Sequence, residues 1–357
     1  MKCTLYAYST SPHVSQLYTG FSLLARNGEI ELEQKLSNYS HRGKELMKNY
    51  EPRALIGAFI ILNDNKVLFY DTHDGCNLYN EALEVADVYF KRSYLQSAVP
   101  DRYKACVFPL GLNYELYAGK LERYELARFA FRDSVLDRFP REMIKCIARL
   151  TSMNFLPTVN KMHSLPKPNQ EPNVLFMARA WDPEGEGSEL SAELKGERAR
   201  INEMRARCIK LLRKELKHHF YGGFAQTDYA RRNFGDLLLE TASVSDKKAY
   251  ISLLHQYPIC IATTGLHGSI GWKMAEYVAF SKSIVSEQLN FSVPGQFEHN
   301  RNYLEFDTPE ECLQQTMRLV EDKHLRSRLM ENNLYYYKTY LIPDRLIMRT
   351  LSIANNI

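Results

Sequence analysis

The sequence predicts an α/β protein of two domains, each a parallel sheet covered by helices. Three observations carry this. Short apolar runs alternate with stretches whose apolar residues recur at spacings of three and four, the pattern of strands joined by crossover helices. The chain has 357 residues, long for one domain against the usual ~100–200. Between about 151 and 173 a stretch with four prolines and little periodicity, "LPTVNKMHSLPKPNQEPN", reads as a linker separating two alternating series.

In the first series "CTLYAY" (3–8) is a strand. Val14, Leu17, Phe21 and Leu24 then form one helix face, which Gly28 can end in a left-handed cap. "EIELEQKL" (29–36) sets Ile30, Leu32 and Leu36 on one side. "ALIGAFIIL" (54–62) is a continuous apolar run of the kind found in buried parallel strands, and "NDN" turns it toward "KVLFYD" (66–71). A helix near 77–86, a strand "DVYF" (87–90) and the run "ACVFPLGL" (105–112) follow.

The second series opens with the strand "NVLFMARAW" (173–181) and the polar loop "DPEGEGSELSAELKGE" (182–197). A long basic amphipathic helix (198–219) leads into the strand-like "HFYGGF". A helix at 246–255, a strand "ICIATT" (259–264), a helix starting near Ser269 and a strand "SIVSE" (283–287) come next. In "TPEE" (308–311), Thr308 serves as N-cap, Pro309 takes the first helical position and Glu311 completes a capping box. Leu313, Met317 and Val320 form the buried stripe of that helix, and two more helical stretches end the chain after Pro343.

Composition narrows the function. With 46 basic and 42 acidic residues the net charge is only +4, so no global field favours nucleic acid or an anionic membrane surface. Nucleic acid is not an expected partner. The seven cysteines stand singly, never as C-x-x-C; this fits buried thiols of a reducing compartment and a cytoplasmic address. The N-terminus lacks a signal-peptide core, and no stretch approaches the ~18 apolar residues of a spanning helix. Membrane contact, if any, is expected to be peripheral.

The segment "GLHGSIGWKMAEYVAFSKSIV" (265–285) carries most of the chemistry. A glycine turn leaving the carboxyl end of a parallel strand and opening a helix offers backbone N–H groups and the positive helix end to a phosphate. Gly268 and Gly271 allow close approach. Lys273 can add a point charge to a diphosphate, and Glu276 can accept hydrogen bonds from ribose hydroxyls. The alternative is that the glycines only let helix and strand pack closely, with Lys273 and Glu276 a solvated pair; no G-x-G-x-x-G or G-x-x-x-x-G-K-[ST] spacing is present.

The stretch from "YISLLHQYPICIATT" through "GSIGWKMAEYVAFSKSIVSE" to "YLEFDTPEECLQQTMRLVEDKHLRSRLMENN" resembles the donor-binding half of GT-B glycosyltransferases of the group 1 type, including the spore-maturation-like branch. "SKSIV" occupies the turn-and-strand position, and "DTPEECL" and "EDKHLRSRLMENN" match the last two motifs. The likeness covers roughly 240–340 in motif detail. "LFYDTHDG", "ALEVADVYFKRSY" and "VFPLGLN" more weakly resemble the N-terminal half. Retaining members commonly carry two glutamates seven residues apart. Glu276 matches the second, but the first position is Gly268, so His267 or another group would have to supply that contact. Retention versus inversion stays open.

The resemblance implies two Rossmann-like domains: an acceptor-binding domain at 1–160 and a nucleotide-sugar-binding domain at 173–335. A C-terminal helix at 336–357 packs on the first. The expected donor contacts are Arg179, Gly222, Gly223, His267, Gly268, Ser269, Ile270, Gly271, Lys273 and Glu276. Arg179 also reads as a surface ion pair, and the Gly222–Gly223 pair as a simple turn. For the proton from an acceptor hydroxyl, His13 and Asp74 are the candidates, with Asp71 and His73 as rivals in "DTHDG"; Asp74, next to Gly75, looks the more exposed carboxylate. "NNLYYYKTYLIP" (332–343) offers either an acceptor platform or packing for the last helix.

With no D-x-D triplet and no clustered His/Cys/Asp spacing, the expectation is no metal and no cofactor, the nucleotide-sugar being a substrate. The whole reads as a metal-independent hexosyltransferase of polysaccharide or glycoconjugate biosynthesis. It would move a sugar from a nucleotide donor to a glycan, lipid-linked or protein acceptor in a cleft between two domains. The alternatives are a non-catalytic sugar-nucleotide-binding or coat-assembly protein, or a nucleotide-sugar epimerase or hydrolase.

Overall fold

Two sheets organise the chain in a computed structural model that describes residues 1–7, 9, 11–36, 41–46, 56–119, 155–185 and 190–357. Residue 8 of the first predicted strand, 54–55 of the third, 151–154 of the linker, 186–189 of the polar loop and Cys146 lie outside the described residues. The chain divides into two units. One comprises Met1–Met162, Phe291–Gly295 and Lys338–Ile357; the other comprises His163–Asn290 and Gln296–Tyr337.

The first unit holds strands β1 (Lys2–Ala7), β2 (Glu31–Leu36), β3 (Gly57–Leu62), β4 (Lys66–Asp71), β5 (Val88–Lys91) and β6 (Val107–Pro109). Their order in the sheet is β2-β1-β3-β4-β5-β6. β1 and β2 pair in parallel, as do β4, β5 and β6, but β3 runs antiparallel to both β1 and β4. The expectation of a parallel strand at 54–62 is therefore corrected. A three-residue turn cannot return a chain in the same direction, and Asn63 and Asp64, both at positive φ, make that turn a hairpin.

Helix α1 (Ser15–Arg26) follows a single 3₁₀ turn at Pro12–Val14, with α2 at His41–Leu46 and α3 at Asn80–Val85. The cap predicted at Gly28 is present. Gly28 has φ 73°, its N–H donates to the Ala25 carbonyl, and the Glu29 N–H donates to the Leu24 carbonyl.

The second unit is purely parallel. In chain order it holds β7 (Val174–Ala178), α4 (Ala192–Leu216), β8 (Phe220–Phe224), α5 (Asp228–Asn233), α6 (Lys247–Gln256), β9 (Ile259–Ala262), α7 (Trp272–Ala279), β10 (Ser283–Glu287), β11 (Tyr303–Phe306), α8 (Pro309–Glu321) and α9 (Lys323–Tyr336). The sheet order is β11-β10-β9-β7-β8. Counted from β7, the strands lie 2-1-3-4-5, so the winding reverses between β7 and β9. In such sheets the carboxyl ends part at the reversal and leave a crevice.

Several boundaries differ from the sequence reading. α4 starts at Ala192 rather than 198, because the Ser191 hydroxyl caps it by accepting from the Leu194 N–H at 3.2 Å. β11 was not expected. α7 begins at Trp272, not near Ser269; Leu266–Gly268 is a separate 3₁₀ turn. The capping box at Thr308 and Glu311 is present. The fully buried stripe behind it is Cys312, Thr316 and Leu319, with Leu313, Met317 and Val320 half-buried beside it. One helix, not two, follows Pro343: α10 (Pro343–Asn356), after a π-helical turn at Tyr337–Leu341.

α10 belongs to the first unit. Leu346, Ile347, Leu351 and Ala354 share a core with Leu17 and Phe21 of α1. Any side chain at Gly20 would run into the Pro343 carbonyl and Ile347, so this glycine permits the close helix contact. In the stretch 332–343, Tyr335 is exposed, Tyr336 packs against Phe297 and Tyr337 against His163 in the second unit, and Tyr340 lies over Gly295 in the first.

Candidate functional site

At the β7/β9 reversal lies a cavity of about 390 Å³. Phe176–Arg179 and Trp181 border it from the end of β7, Ala225 from the end of β8, and Ile261, Thr263 and Gly265 from β9. Gly271–Lys273 and Glu276 of the α7 start, Arg205 of α4, Lys247 and Tyr250 of α6, and Leu239 and Ser245 before α6 complete it. It is lined by four basic side chains against one carboxylate, and both tryptophans of the chain face it.

The charges are held differently. Arg205 is buried, and its guanidinium donates to Thr263 Oγ1 at 2.9 Å and to the carbonyls of Arg179 at 2.7 Å and Thr264 at 2.9 Å. It pins the ends of β7 and β9 together at the mouth of the cavity. Burial pushes its pKa down to about 10, which leaves it charged at neutral pH. Arg179 lies over the Trp181 ring, 4.8 Å from the centroid, and Lys273 over Tyr250 at 4.5 Å. Burial, with Lys247 and Arg205 adding to it and Glu276 opposing, pushes Lys273 down to about 8.

Glu276 is buried and pairs with Lys247 of α6. The solvated Lys273–Glu276 pair considered from sequence is thereby corrected: both side chains face the cavity, and the partner of Glu276 comes from another helix. Burial, then the Glu276 charge, holds the Tyr250 hydroxyl well above its ordinary pKa.

Three N–H groups of the turn are spent within the fold. Gly265 donates to the Ser269 carbonyl, Ser269 to that of Leu266, and Gly268 to the Glu197 carboxylate at 3.3 Å. Thr264 donates through N–H and hydroxyl to Glu287. The N–H groups of Gly265, Gly268 and Ser269 are thus taken, and the part of this segment that borders the cavity beyond Gly265 is the start of α7, Gly271 to Lys273. His267 is exposed in the left-handed region, while Ser269 and Ile270 are buried; none of the three borders the cavity, nor does Gly268. Gly222 and Gly223 sit inside β8, where a side chain would strike the Phe176 carbonyl at the first and the Leu237 carbonyl and Arg213 at the second. Their bareness serves strand packing, and they too lie off the cavity.

In the first unit, the carboxyl ends of β4 and β5 hold a second group of charges. Asp71 is fully buried, accepting from Lys91 Nζ at 2.8 Å, the Tyr89 hydroxyl at 2.5 Å and the His73 N–H at 2.8 Å. It is a saturated structural carboxylate. His73 Nδ1 accepts from the Gly75 N–H at 3.1 Å. Asp74 is the accessible carboxylate, its side chain 41% exposed. A residue that the sequence reading passed over, Arg92, joins the two candidates: one guanidinium nitrogen contacts both Asp74 Oδ1 and His13 Nδ1, the latter at 3.2 Å. Among the described residues no group of three or more His, Cys, Asp and Glu could hold a metal, and no helix is long and apolar enough to cross a membrane.

No protein-family model and no curated protein matches the chain. Solved structures similar to it include glycosyltransferases. The Rickettsia africae glycosyltransferase covers 96% of this chain and 81% of its own, at 10% identity and TM-score 0.43. TarM of S. aureus, solved with fondaparinux, α-GlcNAc-glycerol and UDP, covers 81% at 12% identity and TM-score 0.38; this chain spans 55% of that one. The C-terminal domain of a group 1 family glycosyl transferase from Francisella tularensis covers 50% of this chain and 96% of its own, at 11% identity and TM-score 0.34. At these scores the site's own residues have to carry the functional reading.

Three missed cavity residues did have a signal. Asn202, Arg205, Ile209, Leu212 and Leu216 share one buried helical stripe, and a charge in such a stripe needs a buried partner. Trp181 follows the end of β7 by three residues and Trp272 opens α7, so each lies on a connection leaving a strand's carboxyl end. Lys247 carried none, since its partner is remote in sequence.

Proposed function

We propose that this protein is a nucleotide-sugar-dependent glycosyltransferase. The second unit would bind the donor with its diphosphate at the start of α7, and the first would bind the acceptor near His13, Asp74 and Arg92. The observation that carries the reading is the β7/β9 cavity, where a helix start, Lys273, Arg179 and Arg205 converge beside two indole rings. A helix N-terminus and clustered cations balance phosphate charge, and an aromatic face suits a nucleobase. The motif resemblance over 240–340 supports the sugar-transfer class. Charge compensation by these side chains supports a metal-independent hexosyl transfer, EC class 2.4, and the six free cysteines among the described residues support a cytoplasmic address.

A second reading, a binding protein without turnover, is favoured by one observation. Gly268 stands where retaining members of the resembled class place their first glutamate; its φ is 64° and a Cβ would lie 2.8 Å from the Asn290 side-chain amide, so a glutamate here would be strained and would displace Asn290. A thermal-shift screen against UDP, GDP, ADP and their sugar conjugates tests donor binding, because a ligand at 100 times its Kd raises stability by ~2.7 kcal/mol. No stabilisation by any of them would remove the donor site. Binding without transfer to any glycan, lipid-linked or peptide acceptor would favour the second reading.

A further inference from the structure

We infer that His13 is held as a neutral imidazole with its proton on Nε2, a hydrogen-bond donor rather than a proton acceptor, and that Arg92 is the positioning residue that holds it so. The assignment of these groups to the acceptor side rests on the proposed function; the protonation pattern does not.

The argument starts from the donor inventory. A guanidinium has five N–H donors and no acceptor. Arg92 Nη1 lies 3.2 Å from His13 Nδ1, so Nδ1 has to present its lone pair. In a neutral ring the single proton then sits on Nε2. An imidazolium would set N–H against N–H and place two like charges side by side. Burial first, and then Arg92, holds the His13 pKa below its ordinary value; the Asp74 charge opposes this, and His73 adds a small push in the same direction.

Both partners are fixed from several elements. The His13 N–H donates to Ser11 Oγ at 3.3 Å, and its carbonyl accepts from Asn113 Nδ2 at 3.0 Å. Arg92 is buried, pairs with Asp74, and donates its backbone N–H to the Asp71 carbonyl at 2.9 Å. The backbone bonds fix where both side chains start, and burial with the Asp74 pair keeps the Arg92 guanidinium against Nδ1. The two residues read from sequence as rival bases therefore divide: His13 offers an N–H, and the half-exposed Asp74 carboxylate, an acceptor by nature, is the group that can take a proton.

Long-range ¹H–¹⁵N correlation spectra of the full chain labelled with ¹⁵N-histidine decide this, with His13 assigned through the signal lost in His13→Gln. The expected wild-type pattern at neutral pH is the Nε2–H tautomer, titrating below the ordinary value of about 6.5. In Arg92→Met the pattern should lose its Nε2–H preference and the titration should move up toward that value. A wild-type ring protonated on Nδ1, or doubly protonated at pH 7, would overturn the inference, and that spectrum is informative even where Arg92→Met does not fold. An unchanged ring in a folded Arg92→Met would remove the positioning role. Neither spectrum needs a donor, an acceptor or turnover, so failure here is separate from failure of the transferase reading.

Discussion

Lys273 offers the sharpest test of the donor site. Its ammonium lies half-buried at the start of α7 beside two other cations, which puts its pKa at about 8 against an ordinary 10.5. The folded chain therefore disfavours the charged form. Holding it at neutral pH costs up to about 3 kcal/mol before screening, a cost relieved as pH rises from about 8 toward 10.5. A bound diphosphate reverses the preference, because an anion beside the amine favours its protonation. If binding needs the ammonium, roughly nine-tenths of the protein is competent at pH 7 and about one-tenth at pH 9, so affinity should fall about tenfold over that interval. Isothermal titration with the best nucleotide of the panel, at pH 7, 8 and 9, measures this. Titration at pH 8 in buffers of different ionisation enthalpy should show about half a proton taken up per nucleotide bound. Lys273→Arg stays charged throughout and should flatten the profile. Constant wild-type affinity from pH 7 to 9, or the same slope in Lys273→Arg, would show that Lys273 does not contact the phosphate.

Two further substitutions follow from the same geometry. Gly271 has φ −67°, and a Cβ there meets nothing closer than the Thr263 carbonyl at 3.9 Å; Gly271→Val should fold within ~1 kcal/mol of wild type yet lose all nucleotide-induced stabilisation, and retained binding would move the site off this helix start. Because Glu276 is buried against Lys247, Glu276→Ala should cost on the order of 3–5 kcal/mol and confound stability with binding. Glu276→Gln keeps the shape and should weaken nucleotide affinity by ~1–3 kcal/mol with a smaller drop in melting temperature; unchanged affinity in Glu276→Gln would make the residue structural.

The sequence by itself determined whatever local chemistry decides. The Gly28 cap, the Thr308–Glu311 capping box, the strand at 283–287 and the glycine turn before α7 each depend on residues within a few positions of one another, where backbone geometry and short-range hydrogen bonding leave little choice. Pairing across the sheet is another matter: "GAFIIL" has the composition of a buried strand in either direction, and although the short turn at Asn63–Asp64 already implies an antiparallel β4, the antiparallel place of β3 beside β1 came only from the assembled sheet. The candidate site divides in the same way. Lys273, Glu276, Gly271 and Arg179 were legible because they sit at strand–helix junctions, whose place at the carboxyl edge follows from the fold class. Arg205, Lys247 and Arg92 reach their sites from elements tens of residues away along the chain. Gly222 and Gly223 look like turn residues until β7 closes over the first and Leu237 and Arg213 over the second, and Asp71 resembles Asp74 until Lys91 and Tyr89 saturate it. Which polar groups are spent on the scaffold and which face open space is fixed by burial and by partners far apart in sequence, and only the packed tertiary structure supplies those.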